Sequence, residues 1–478
     1  MSLSKNFIYS CVLTISTYVF PLLVYPYVSR VLGLSNIGIV NFVDNLINYF
    51  VLISMMGITT VGVREIAASK EDKTKLNKTF NSLFALTAIT TFVSIILLIS
   101  VMFIVDELSQ FQDLIYIGAI KLIFNLFLIE WFFIGIEDFR FITNRSLIIK
   151  TIYVVCIFLF IKDTSDYKIY YILTVATVII NSIINFLYSK RFVEYRMNDI
   201  SFLPFTRSYL IMGVYALFTN IYTSLNTVWL GLVTNTDQVG YFTTATKLHT
   251  IIMAVLLSFT NILFPRMSYL IAEGKKQEFW EKINISLDAI YLFAFPTIAF
   301  MITAGPETLH LIVGDGFEGS YLPLRIITPL VLIIGIEQIL VIQIMMATHL
   351  DNYVLRNSFI GAMVALVVNL SLTRSMGAIG SAIAWDIAEC SVGFMALLVI
   401  YKKFAYIFPF GRLIFYILCY IPLMLLCFIL SNIIRPSITM ISAVTLAIAF
   451  YTTLFEIFII KNKVAVSLFQ KIYDFKNK

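Results

Sequence analysis

The stretch VGYFTTATKLHTIIMAVLL, Val239 to Leu257, opens on a small and polar string, carries Lys247 and His249 in its middle, and ends as apolar as a lipid-facing helix. A charged side chain at the centre of a bilayer costs roughly 3 kcal/mol or more, so a lysine kept there is expected to face protein or a watery cleft. The rest of the chain sets the same scene. Of its 478 residues 60% are hydrophobic and 13% charged, and the mean hydropathy is +0.91. No soluble core hides that much apolar surface, so the composition reads as a polytopic, all-α membrane protein.

Apolar runs long enough to cross a bilayer as helices, about 20 residues each, recur with short polar breaks. They fall near 7–30, 38–63, 80–105, 113–136, 142–161, 168–189, 208–233, 239–264, 284–304, 321–347, 354–372, 378–401, 412–432 and 438–460, about 14 spans. The first is expected to stay in the protein, since it is too long for a removable signal peptide and lacks a small-residue cleavage site. With the amino terminus inside, the breaks on its side hold roughly 25 Lys and Arg and those on the other about four, so both termini are expected in the cytoplasm. The net charge of +6 is mostly this asymmetry, and nucleic acid is not an expected partner.

Chemistry-bearing motifs are sparse. The five cysteines lie in apolar spans without metal-ligand spacing and read as small core residues. No Walker A loop, dinucleotide fingerprint, HExxH or nucleophile elbow occurs in a plausible context. Breaks shorter than about 25 residues leave no room for a catalytic or nucleotide-binding domain; the longest on the outer side runs from Gly305 to Ser320. Neither an enzyme nor a metal or organic cofactor is expected.

The informative residues are the ionisable and polar ones inside the spans. Arg30, Lys150 and Arg325 lie near span ends and read as snorkelling cations, whereas Lys121 and Lys247 lie deeper. Thr243, Lys247, Thr250, Ala254, Ser258 and Asn261 form one small-and-polar stripe at helical spacing. Similar stripes run through Asn41, Asp44 and Asn48, and through Asn220, Ser224 and Thr227; small-residue helix packing is the ordinary reading, and the charges favour a cavity. Lys121 and Glu130, nine positions apart, are expected on opposite faces of the fourth span. Asp288, Glu337, Asp386, Glu389 and Glu456 are further embedded acids, most of them expected to bond neighbouring helices. Pro21, Pro26, Pro329 and Pro422 promote kinks.

A shift of 202 residues lays Asn36-Ile37-Gly38-Ile39 on Gln238-Val239-Gly240-Tyr241 and Arg64 on Arg266, each arginine preceding a basic break, REIAASKEDKTKLNK and RMSYLIAEGKKQEFWEK. Two parallel halves are expected: an N-terminal lobe over 1–195, a cytoplasmic linker at 196–206, a second lobe over 207–403, and 404–478 as two appended helices with a basic tail. The relating axis would run along the membrane normal, with the site between the halves.

Five runs carry a family resemblance: EWFFIGIEDFRFITNRSLIIK, VGYFTTATKL, PRMSYLIAEGKKQEF, LRIITPLVLIIGIEQILVIQIMMA and VVNLSLTRSMGAIGSAIAWDIAE. Together they resemble the bacterial polysaccharide transporter family, more narrowly flippases of the Wzx type for O-antigen and related oligosaccharides. Glu130 before Trp131, and Asp386 beside Glu389, depart from its pattern. The resemblance implies the multidrug/oligosaccharidyl-lipid/polysaccharide exporter fold, two pseudo-symmetric six-helix lobes around a central cavity. It implies an undecaprenyl-diphosphate-linked oligosaccharide as substrate, turned from the cytoplasmic to the outer leaflet of the bacterial inner membrane by alternating access.

On that reading Arg30, Arg64, Lys247 and Arg266 are candidates for the diphosphate, and Asn41, Asn48, Asn220, Thr243 and Thr250 for the glycan. Arg64 and Arg266 also read as ordinary positive-inside anchors. Asp44, Glu130 and Glu389 are candidates for coupling H+ or Na+, or for charge pairing. The expected state is a monomer in the bilayer, with a polysaccharide polymerase as a candidate partner. The rival readings are a cation-coupled multidrug exporter of the same superfamily, and a membrane-embedded polysaccharide polymerase or ligase.

Overall fold

A computed structural model describes residues 3–196, 200–435, 437–462, 464–467 and 470, with the backbone alone at 3–8, 10–11, 219, 221–224, 258–259, 261–262, 265 and 272. Among the described residues there are helices and turns and no strand. The chain divides into two compact units, Met1–Gly240 and Tyr241–Lys478.

The first unit holds α1 (Leu3–Met55), α2 (Ile58–Ser69), α3 (Lys73–Ile104), α4 (Gln112–Asn125), α5 (Glu130–Gly135), α6 (Phe139–Phe160), α7 (Tyr167–Ser189) and α8 (Leu203–Val233). Pro21 and Pro26 lie inside α1, which breaks at Gly33, where φ is 76° and ψ is 171°. An added Cβ there would meet nothing within 4 Å, so the dihedral rather than crowding demands glycine. Asp72 caps α3 by accepting from the Thr74 and Lys75 amides at 2.9 and 3.1 Å.

The expected span 113–136 is not one helix. It breaks after Asn125 and restarts at Glu130 through Ile129, whose φ is 31°. The Leu128 carbonyl freed by the break accepts a hydrogen bond from the Asn185 amide group of α7. The expectation that Lys121 and Glu130 share one helix on opposite faces is therefore corrected: they belong to different helices.

In the first unit, two segments 202 residues apart meet at glycines. A Cβ on Gly38 would lie 1.8 Å from the Thr236 carbonyl oxygen, and one on Gly240 would lie 2.8 Å from the Leu34 carbonyl oxygen. Leu34 and Thr236 carry the same offset as Gly38 and Gly240, so each segment packs on the other reciprocally. Ser35 and Thr236 hydroxyls meet beside them at 3.0 Å. The expected linker 196–206 is held at both flanks: the Arg196 amide donates to Asn81 and the Ser201 amide to Ser82, both on α3. Residues 197–199 of that linker lie outside the described residues.

Helix α9 (Thr236–Ala272) leads into the second unit, followed by α10 (Lys276–Thr303), α11 (Gly305–Val313), α12 (Tyr321–Ile327), α13 (Leu330–Gln338), α14 (Asp351–Met376), α15 (Ala378–Phe404), α16 (Phe410–Ile433) and α17 (Ile438–Leu454). Pro329 stands between α12 and α13, and α13 continues as a π-helix over Ile339–Met346. Pro422 lies inside α16, and Pro296, which drew no expectation, inside α10. Most of the break at 305–320, expected on the outer side, is α11 rather than loop.

The last two helices are bonded into this unit by buried polar groups. Asp288 of α10 pairs with Arg412 of α16. Asn462 donates to the Asp288 carbonyl at 3.0 Å and to the Tyr416 hydroxyl at 2.9 Å, and Tyr416 and Tyr420 both donate to Glu456. Asp288 and Glu456 thus join helices.

Among the described residues, twelve segments are long and apolar enough to cross a membrane. One of them, Val12–Ser69, has 58 residues, about 87 Å of helix against a hydrocarbon core of about 30 Å, which is enough for two crossings. Helix α8, with 31 residues, is also long enough, which brings the number of crossings to about 14. Large apolar side chains such as Phe92, Ile96, Phe103, Leu418, Leu425 and Phe450 stay exposed, as lipid-facing surfaces require.

Candidate functional site

Within the first unit, the spacing of Asp44 and Asn48 puts both on one face of α1. Lys121 of α4 reaches that face. Its ammonium lies 2.6 Å from Asp44 Oδ1 and 2.7 Å from Asn48 Oδ1, while Asn48 Nδ2 donates to Asp44 Oδ2 at 3.1 Å. Lys121 is 8% exposed, so its charge is compensated by this triad rather than by water. The buried Tyr171 hydroxyl of α7 has no hydrogen-bond partner among the described residues. A Cβ on Gly118 would lie 2.6 Å from that hydroxyl and 2.4 Å from Ile47 Cγ1, so α1, α4 and α7 approach as closely as a missing side chain allows.

A second buried charge was not singled out by sequence. Arg145 of α6, its side chain 3% exposed, lies 2.5 Å from Glu130 Oε1. It also donates to the Asn185 carbonyl oxygen and to Ser146. Lys150, one turn further on, donates to Ser16 at 2.9 Å. In the turn between α5 and α6, Glu137 accepts from Lys70 Nζ at 2.9 Å. That hydrogen bond, and then the lysine charge, hold the Glu137 carboxyl below its ordinary value.

The candidates for the diphosphate stand on three helices, α1, α2 and α9. Arg64 is exposed and bonds the adjacent Glu65 at 2.8 Å; Arg266 bonds Glu278 at 2.7 Å and lies over the Tyr269 ring. Lys247 is half-buried on α9, and Arg30 is exposed on α1. Lys247 and Arg266 are 19 positions apart on one helix, roughly 28 Å, and so stand at different depths. Of the polar candidates, Asn41 and Asn220 are half-buried and Thr243 is buried. Asn220 donates to the Ala216 carbonyl at 2.9 Å, and Thr250 to that of Thr246 at 2.8 Å. The side chains of Ser224, Ser258 and Asn261 lie outside the described set.

In the second unit, Glu337 of α13 and Glu389 of α15 are 6% and 4% exposed, with their carboxyls in hydrogen-bonding contact. Trp385 Nε1 donates to Glu389 at 2.9 Å, and the His249 ring stands 5.3 Å from the Trp385 ring. One Glu337 oxygen has no hydrogen-bond partner among the described residues, and Asp386 is half-buried. Sequence marked both glutamates as embedded acids; that they meet required the packing of α13 on α15. Far along the chain, His310, Asp315 and Glu318 bring ligand atoms within 4.8 Å of one another near the surface.

A chain of about 14 membrane-length helices, with its buried charges arranged in pairs, has the architecture of a polytopic membrane transporter. Solved structures share it. The lipid II flippase MurJ in an inward closed conformation superposes with a TM-score of 0.76 over 94% of this chain and 99% of that one, at 13% identity. An inward-facing multidrug resistance MATE family transporter of the MOP superfamily gives 0.64 over 80% of this chain and 93% of that one, at 11% identity.

The chain belongs to the polysaccharide biosynthesis protein family, whose profile matches residues 3–271. Two proteins named "Putative O-antigen transporter" are similar along most of their length. That of Escherichia coli (strain K12) is 23% identical over 402 residues, 83% of this chain and 96% of its own. That of Shigella dysenteriae is 22% identical over 389 residues, 80% and 96%.

Proposed function

We propose that the chain is a flippase for an undecaprenyl-diphosphate-linked oligosaccharide, moving the headgroup from the cytoplasmic to the outer leaflet of a bacterial inner membrane with both termini in the cytoplasm. The observation that carries this reading is membership of the polysaccharide biosynthesis family in a chain whose fold extends over 94% of its length on a lipid-linked sugar flippase. The physics agrees. A diphosphate and a hydrophilic glycan cannot enter hydrocarbon, so a carrier must offer them polar and cationic groups while the polyprenyl tail stays in lipid. Lys247, half-buried at membrane depth, is the cation for the diphosphate. A charge pair at about 4 Å in an effective dielectric near 20 is worth roughly 4 kcal/mol before desolvation, so one or two such contacts bind without preventing release.

Transport is by alternating access and is driven by an ion. The contact between Glu337 and Glu389 supports a proton as that ion, because two carboxyls that touch hold a proton between them. No catalytic step is required, and the protein acts as a monomer that delivers its product to a polysaccharide polymerase.

Vesicles reconstituted with a labelled undecaprenyl-diphosphate oligosaccharide test the reading. The wild type should bring the label to the opposite leaflet, and Lys247→Ala should slow it at least about tenfold, the loss of one charge-assisted contact. Undiminished translocation by Lys247→Ala would remove that residue from the site; no translocation by the wild type would remove the function. The MATE-like fold makes drug export the alternative, and it predicts drug resistance in cells overproducing the chain.

A further inference from the structure

The geometry points to a second, separate binding site on the first unit: a cleft between α6 and α7 that takes a phosphate-bearing headgroup, its acyl chain lying along the apolar end. The cleft has a volume of about 640 Å³, and Asp138, Arg140, Asn144, Arg145, Ile148 and Tyr188 are among its lining residues. Its polarity is graded. Arg140, Asn144 and Ile148 follow one another at four-residue spacing, so they form one stripe of α6 that starts with a cation at the helix beginning and ends on an aliphatic side chain 61% exposed. A phospholipid has the same order, charged head and then hydrocarbon.

The polar end is built for an anion. Arg140 and Asn144 are exposed and have no hydrogen-bond or ion-pair partner among the described residues. Arg145 is buried, and its Nε is likewise without a partner. Arg191 stacks on the ring of Tyr188, a lining residue, at 5.1 Å, so one more cation stands beside the cleft. The acid in the lining, Asp138, is already occupied: it accepts from the Phe141 amide at 3.3 Å and from the Tyr188 hydroxyl at 3.1 Å. Unpaired donors at one end and an exposed isoleucine at the other match an anionic lipid better than a sugar or a cation. This site does not depend on the transport reading, since it lies within one unit and would be occupied whether or not a headgroup is flipped.

The test uses the full chain in detergent, with native mass spectrometry counting phosphatidylglycerol or phosphatidylcholine retained. Phosphatidylglycerol should be retained preferentially, and Arg140→Gln combined with Asn144→Leu should weaken it about tenfold. Arg374→Gln, which removes a cation elsewhere, should leave retention unchanged. Arg145 is left intact in these variants, because its loss would endanger the fold. An excess of inorganic phosphate distinguishes the source of the anion: displacement of the lipid marks a site that also takes soluble phosphate, and its failure to displace marks one that requires the lipid. Equal retention of the two lipids, an unaffected double variant, or an equal loss in Arg374→Gln would each overturn the proposal.

Discussion

In the first unit the buried cations Lys121 and Arg145 each touch a carboxylate, Asp44 and Glu130, and each pair is completed by an asparagine. In the second unit the carboxyls of Glu337 and Glu389 touch each other, while a cation–acid pair with a buried carboxylate, Asp288 with Arg412, lies where α10 receives α16. The contrast separates two uses of charge at membrane depth. An opposite-charge pair carries its own neutrality and fastens helices. Two touching carboxyls supply no compensating charge of their own, so their net charge depends on how many protons they hold.

The largest effect that would break this contrast is expected at Glu130. Glu130→Leu leaves the Arg145 guanidinium buried without its carboxylate and should cost about 3–5 kcal/mol in unfolding from mixed micelles. A smaller loss would show that Asn185 and Ser146 suffice for the charge. Next comes Lys121→Met, which strands a carboxylate that is partly accessible and should cost about 2 kcal/mol. Adding Asp44→Asn should recover at least about 1 kcal/mol of that, the coupling expected of residues in direct contact, and strict additivity would mean the two do not act as a pair.

The like-charge pair sharpens the contrast from the other side. Glu337→Gln or Glu389→Gln replaces a carboxyl by a neutral isostere and should shift stability by less than about 1 kcal/mol. The same variants should flatten the dependence of transport on pH. A pH profile identical to wild type would assign the two glutamates to packing alone. The smallest effect is expected at the exposed Lys70–Glu137 contact. Because the Glu137 carboxyl is depressed in the folded protein, its contribution is present at neutral pH and is lost as pH falls through its folded value. Lys70→Ala should return Glu137 toward its ordinary titration, followed by carboxyl carbon NMR, without a measurable change in unfolding midpoint.

Much of the architecture was open to reading from the chain. Span positions follow from apolar run length, and the turn at Gly33 falls in the break between the first two runs. The break between α4 and α5 was not readable, because Leu126-Phe127-Leu128-Ile129 has neither glycine nor proline. What stabilises it is a side chain 57 positions away, Asn185 on the Leu128 carbonyl. The same limit hid the site's pairings. Periodicity placed Asp44 and Asn48 on one face, yet their partner Lys121 lies 77 and 73 positions away. Arg145 was concealed by its place near the edge of an apolar run, where a cation ordinarily snorkels; here it turns inward because Glu130 and Asn185 receive it.

The reciprocal approach of Gly38 and Gly240 has a consequence for inheritance. Each glycine faces a carbonyl oxygen of the other segment, so a single methyl group at either position must move a main-chain segment, and at Gly240 the Leu34 side chain as well. A saturation library scored for activity would then show two intolerant columns, one in each segment. A second-site change of side chain would leave the carbonyl contact in place, and the two segments would remain free to diverge everywhere except where their main chains touch.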